Sequence, residues 1–205
     1  MLLCVQLVLL LYCCLIFFYF LFFIDSNNIT LLHRPMDISS PEYLEQLASS
    51  GNKLCYLDIS VNEAVPTRVV IELYYQINPK TCDNFAQICA GSTEGVTYAG
   101  TDFTRYVKDG WIEGGKLNGD AVIEPFPDES FAVEFDSPGI VAMTNSGAHT
   151  NASKFFITLS STTWMNTKSV AFGKVVQGME AFGSVTSDKT EKPGQSVIVK
   201  ACGVL

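Results

Sequence analysis

Histidine is nearly absent from this chain: His33 and His149 are the only two. None of the seven cysteines forms a Cys-x-x-Cys pair. Without that spacing or a histidine cluster, no zinc or other metal site is legible. The thiols read instead as buried small hydrophobes, not as a disulfide framework. Basic clusters are missing too. With 13 Lys and Arg against 21 Asp and Glu, the formal net charge is −8. Nucleic-acid binding needs clustered cations to neutralise phosphates, so it is excluded as a main function. The acidity reads as a solvated surface. No internal repeat occurs.

Charge is lacking altogether from residues 1–24, a run rich in Leu and Phe. As a helix they would be about 36 Å long at 1.5 Å per residue, enough to cross a hydrocarbon core of about 30 Å. A cleaved signal peptide would show a basic start and small residues at the cut. This start has no Lys or Arg, and the exit reads Phe22-Phe23-Ile24-Asp25. Two readings stay open. Residues 1–24 are a transmembrane anchor, with a membrane-anchored protein and the membrane as a partner. Alternatively they are a mis-called N-terminus upstream of Met36, with a cytoplasmic protein. Residues 25–53 read as a linker with a short helix over 39–51. Ser40 caps it, Pro41 takes its first position, Glu42 sits at its positive end and Gly51 stops it. Asn28-Ile-Thr30 and Asn151-Ala152-Ser153 have the form of glycosylation acceptors.

From Leu54 onward the pattern turns strand-like. Leu54–Val61 and Arg68–Tyr75 are β-rich runs on either side of a turn-like interval. A helix then opens at Pro79, shows an apolar face at Phe85, Ile88 and Cys89, and ends at Gly91. Short strand candidates recur at Asp102–Tyr106, Gly139–Thr144, Lys154–Leu159, Val170–Val175 and Ser196–Cys202. Many short strands and few helices suggest a closed or nearly closed barrel.

A series of motifs is more specific. Ile71-Glu72-Leu73-Tyr74 runs into Pro79-Lys80-Thr81-Cys82-Asp83-Asn84-Phe85. Phe103-Thr104-Arg105, Gly114-Gly115, Pro138-Gly139-Ile140, Met143-Thr144-Asn145-Ser146-Gly147 and Asn151-Ala152-Ser153-Lys154-Phe155-Phe156-Ile157 follow in order. Trp164 and Val170-Ala171-Phe172-Gly173 complete the series. In order and spacing it resembles the cyclophilin-type peptidyl-prolyl isomerases. The loop Asp109-Gly110-Trp111-Ile112-Glu113-Gly114-Gly115 is similar to that of a divergent subgroup, the peptidylprolyl isomerase-like six proteins.

The resemblance implies a mainly β fold: a cyclophilin-like closed antiparallel β-barrel with two helices over residues 54–205, plus the N-terminal apolar helix. It implies isomerisation of X-Pro bonds in proline-containing polypeptides without cofactor or metal, and a cyclosporin-type ligand. By the same resemblance Arg105 is the catalytic cation. Phe156, Trp164 and Met165 grip the proline, and Asn145, beside Thr144, contacts the peptide through its backbone. Several positions depart from the pattern of active members. The pocket His is Ser169, a pocket Phe and Met are Gly110 and Trp111, and two groove Gln are Glu113 and Lys154. Glu113 and Lys154 are expected to form an ion pair across the groove. Reduced isomerase activity is therefore expected, the alternative being a proline-peptide binding module or scaffold that barely turns its ligand over.

Overall fold

The computed structural model describes residues 38–92, 95–117, 123–187 and 190–205. Ile38–Leu205 form one compact unit. It opens with α1 (Pro41–Ser50), where the Ser40 hydroxyl accepts a hydrogen bond from the Tyr43 N–H at 3.2 Å and Gly51 closes the helix in a left-handed conformation. Two long strands follow, β1 (Lys53–Val61) and β2 (Thr67–Leu73), then α2 (Pro79–Ala90). Four short strands come next, β3 (Arg105–Val107), β4 (Trp111–Gly114), β5 (Ile140–Met143) and β6 (Phe155–Thr158), and then the longer β7 (Ala171–Gln177). A 3-10 turn, Thr163–Met165, precedes β7, another, Met179–Phe182, follows it, and β8 (Val197–Val204) comes last.

All the paired strands are antiparallel, in the order β3-β4-β6-β5-β7-β2-β1-β8. The sheet is open, which corrects the expected closed barrel. Closure would need the edge strands β3 and β8 to pair along their length. However, β3 has three residues and pairs with β4. The segment before it meets β8 through one isolated bridge, Asp102 to Ile198, and hydrogen bonds such as Phe103 N–H to the Val197 carbonyl at 2.8 Å. Among the described residues there are two α-helices, α1 in the segment read as a linker and α2 within residues 54–205, and the mainly β character stands.

One finding stands against the expected membrane-spanning helix, and with it against membrane anchoring and a membrane partner. Among the described residues no helix is long and apolar enough to cross a membrane. The helices α1 and α2 have 10 and 12 residues, about half of the roughly 20 that a span requires. Residues 1–24 themselves, like Asn28, lie outside the described residues.

Strand alternation divides the apolar residues between two faces. The inner face and α2 bury Leu57, Ile71, Phe85, Ile112, Phe155 and Ile157 in the main core. Phe85, Tyr98 and Phe155 stand about one ring from each other, with centroids 5.2 Å apart. The Gly-Gly pair follows from this packing. A Cβ on Gly115, whose φ is +80°, would lie 2.7 Å from Phe155 Cδ1, closer than any side chain tolerates. On the opposite face Phe135, Ile140, Ala142, Phe156 and Ala171 form a smaller cluster, with Trp111, Val133 and Met165 packed against it.

Candidate active site

Register builds the site across that second face. Arg105 pairs with Glu113, Glu113 with Phe156, and Phe156 with Ala142. Directly paired residues share a face, so a cation, a carboxylate and an aromatic ring stand in one row. One step along, Trp111 pairs with Thr158. Its ring lies 5.9 Å from Phe156 and 5.7 Å from Trp164, and the Arg105 guanidinium carbon is 5.3 Å from its centroid.

Phe156 is 2% exposed. Trp111 lies on one side, and Phe135 stacks near it at 5.8 Å with the planes 15° apart. Trp164, in contrast, is 57% exposed on the 3-10 turn, and Lys168 Nζ sits 5.4 Å from its ring. That turn is fixed from behind: Asn166 Oδ1 accepts from the Phe135 N–H at 2.9 Å, and the Thr162 N–H donates to the Phe135 carbonyl at 2.8 Å. Met165 faces the same cluster. Ser169, which the resemblance sets in place of a pocket histidine, is buried.

The charges form a chain. Lys154 Nζ donates to Glu113 Oε1 at 2.9 Å, and Glu113 Oε2 stands 3.9 Å from Arg105 Nη1. Glu113 is nearly buried, while Lys154 and Arg105 are about half exposed. A desolvated carboxylate between two cations is compensated on both sides. Arg105 also meets Glu191, whose Oε2 accepts from Nε at 2.8 Å and lies 2.7 Å from Nη2.

At the far end, the Thr144 N–H donates to the Lys154 carbonyl at 2.9 Å, and Asn145 Nδ2 donates to the Lys168 carbonyl at 2.8 Å. The Thr144 hydroxyl oxygen is buried without a hydrogen-bond partner. The structure thus gathers Arg105, Trp111, Glu113, Lys154, Phe156, Trp164 and Met165 and sets Thr144 and Asn145 at one end. Phe135 and Glu191 were not foreseen. Phe135 carries a weak signal, the alternation Val133-Glu134-Phe135. Glu191 carries none, since 86 positions separate it from Arg105. The acceptor Asn151 is fully buried, and its Nδ2 donates to Asp128 Oδ1 at 2.8 Å and to the Phe126 carbonyl. A glycan cannot reach that nitrogen in the folded domain.

The family model described as cyclophilin type peptidyl-prolyl cis-trans isomerase/CLD matches residues 56–204. The chain belongs to the cyclophilin-type peptidyl-prolyl isomerase family. Among its relatives, "Probable inactive peptidyl-prolyl cis-trans isomerase-like 6" of Bos taurus is 35% identical, over 78% of this chain and 57% of the relative. The protein of the same name from Homo sapiens is 37% identical, over 65% of this chain and 47% of the relative. The "Peptidyl-prolyl cis-trans isomerase" of Encephalitozoon cuniculi is 38% identical, over 77% of this chain and 96% of the relative. The chain therefore spans about half the length of the two isomerase-like 6 relatives. The cyclophilin-type family and the divergent subgroup that the loop resembled both stand among its matches.

Proposed function

We propose that this domain is a weak peptidyl-prolyl cis-trans isomerase acting on X-Pro bonds of polypeptides, with a pocket occupied by its own tryptophan. Prolyl isomerisation breaks no bond; its barrier is the partial double bond of the amide, about 18–20 kcal/mol. A catalyst helps by binding the twisted amide better than either planar form. On twisting, the prolyl nitrogen gains a lone pair, and a guanidinium that donates to it stabilises that state. Arg105 has the position and the exposure for this. The proline ring needs an aromatic wall beside it, and Phe156 is that wall.

One observation carries the reduced rate: Phe156 is 2% exposed, with Trp111 beside it. A proline ring reaches Phe156 only after the indole moves. Two names among the relatives, those printed "Probable inactive", agree with a low rate. The exposed Trp164 beside Trp111 favours a second reading, a module that docks proline segments on its aromatic rim without turning them over. A cyclosporin-type ligand would meet the same filled pocket and is expected to bind weakly.

Trp111→Met separates the two readings. The neighbouring departure, Gly110, cannot be reversed as simply, because a Cβ there would lie 3.0 Å from Val107 Cγ1. In a proline-tetrapeptide assay Trp111→Met is expected to raise kcat/KM about tenfold, equivalent to roughly 1.4 kcal/mol of transition-state binding. Arg105→Ala should abolish the activity of either form. A rate that Trp111→Met leaves unchanged, with peptide binding intact, would favour the docking module.

A further inference from the structure

Glu191 lies outside every motif that points to the family, yet it makes the closest contact to Arg105. Its backbone is tied down. The Tyr106 N–H on β3 donates to the Glu191 carbonyl at 2.7 Å. Ser187 and Pro193 form an isolated bridge around it, and the Gly194 N–H donates to the Thr186 carbonyl at 2.7 Å. Glu191 itself has a φ of +57°, a left-handed conformation that a residue with a side chain adopts only when its surroundings hold it there. Those constraints carry the carboxylate to the guanidinium, where one oxygen meets both Nε and Nη2.

The cation has two carboxylates beside it, and they differ. Glu113 is paired with Lys154, so its charge is already met. The ion-pair partner of Glu191 among the described residues is Arg105. We propose that Glu191 is a tethered carboxylate that competes with substrate for Arg105, holding the cation in a resting state from which the peptide must displace it. This rests on the isomerase reading and deepens it. A guanidinium whose Nε and Nη2 serve a carboxylate has fewer donors and less effective charge for a developing lone pair. Glu191 acts on the chemistry through Arg105 and is a positioning residue.

The contact is half exposed on both sides, so it is worth little in stability and can open at modest cost. Opening it should speed catalysis about threefold to fivefold, the scale of an exposed ion pair converted to a rate. Glu191→Ala and Glu191→Gln are compared with wild type in a proline-tetrapeptide assay at low and high salt. The expected result is a threefold to fivefold rise in kcat/KM for Glu191→Ala at low salt. Wild type should gain on added salt, which screens the pair, and Glu191→Ala should not. Arg105→Ala with Glu191→Ala should be as inactive as Arg105→Ala alone, and the loss of the salt response in Glu191→Ala is the readout that a purely structural role for Glu191 would not move. A Glu191→Ala rate equal to or below wild type, with the Arg105 Nε–H resonance shifted as the contact is lost, would overturn the proposal. If no form of the protein isomerises proline, the isomerase reading fails by itself. The competition is then decided by proline-peptide affinity, with tighter binding by Glu191→Ala supporting it and unchanged binding overturning it.

Discussion

Lys154 and Glu113 illustrate how two surface-looking changes become one internal contact. In sequence they stand 41 positions apart, each in place of a glutamine of the family's pattern. In the fold they meet at 2.9 Å, and the carboxylate is nearly buried. Removing the lysine charge leaves that carboxylate with Arg105 alone, at 3.9 Å. Lys154→Gln should therefore destabilise the domain by about 1–2 kcal/mol, less than for a fully buried pair because the lysine is half exposed. On the proposed mechanism it should also slow isomerisation, since an uncompensated Glu113 would draw Arg105 away from the prolyl nitrogen. Glu113→Gln removes the charge that needed compensation and should cost less. The double glutamine variant should return close to wild-type stability and at least wild-type rate. A double-mutant cycle by urea unfolding measures the coupling, and strict additivity would show that the two side chains act independently.

Among the elements, α1 contributes more than its place ahead of the sheet suggests. Tyr43 buries its ring against Leu54 and Val70, with Ile38, Leu47 and Val176 around them. Its hydroxyl donates to Glu72 Oε2 at 3.0 Å, and Asn52 Nδ2 donates to the other oxygen at 2.8 Å. Tyr43→Ala should cost about 3 kcal/mol and Tyr43→Phe about 1 kcal/mol in urea unfolding. Burial first, then the Glu72 charge, pushes the Tyr43 hydroxyl well above its ordinary value of 10.0. A raised value means that its contribution is whole below pH 10 and is lost as pH climbs through the folded value. The gap between wild type and Tyr43→Phe should accordingly hold constant up to pH 10 and close above it. A gap that widened above pH 10 would contradict the sign. The signals for α1 were local, a cap, a proline and a stop, and so were legible in the sequence. Strand β4 was not: Gly110-Trp111-Ile112-Glu113-Gly114 has the composition of a turn, and it becomes a strand because β3 and β6 pair on either side of it. The many short strands, the few helices and the family resemblance together suggest a closed barrel. What decides closure is the length of β3, which no periodicity over three residues can reveal. Phe156 shows the same limit at the site: its place and that of Trp111 were readable in the motifs, but the Phe135 ring stacked near it was not.

Across the whole molecule, the four described cysteines are free thiols, three buried and Cys202 only partly so, and they are not equivalent. Cys202, on β8, is half-buried. The hydrogen bond from the Cys89 thiol pulls it down to about 6 against the opposing effect of burial, with Thr97 Oγ1 adding a contact at 3.4 Å. Burial pushes Cys82 up to about 12, and Cys89 also lies well above its ordinary value. The thiolate is the nucleophile, and it must also be reachable. Of the thiols described, only Cys202 combines a thiolate at neutral pH with partial exposure. Iodoacetamide at pH 7 should therefore label Cys202 first, with Cys55, Cys82 and Cys89 labelled only on unfolding; peptide mapping by mass spectrometry reads each site separately. The labelling rate should rise with pH through a midpoint near 6 and then level off. Cys89→Ala removes the principal donor and should shift that midpoint upward, toward the ordinary value of 9.0. Cys89 is buried, so losing its sulfur leaves a small cavity and costs about 1 kcal/mol, too little to unfold the domain and confuse the readout. Equal labelling of all four sites in the folded protein, or a midpoint that Cys89→Ala leaves in place, would show that Cys89 does not stabilise the Cys202 thiolate.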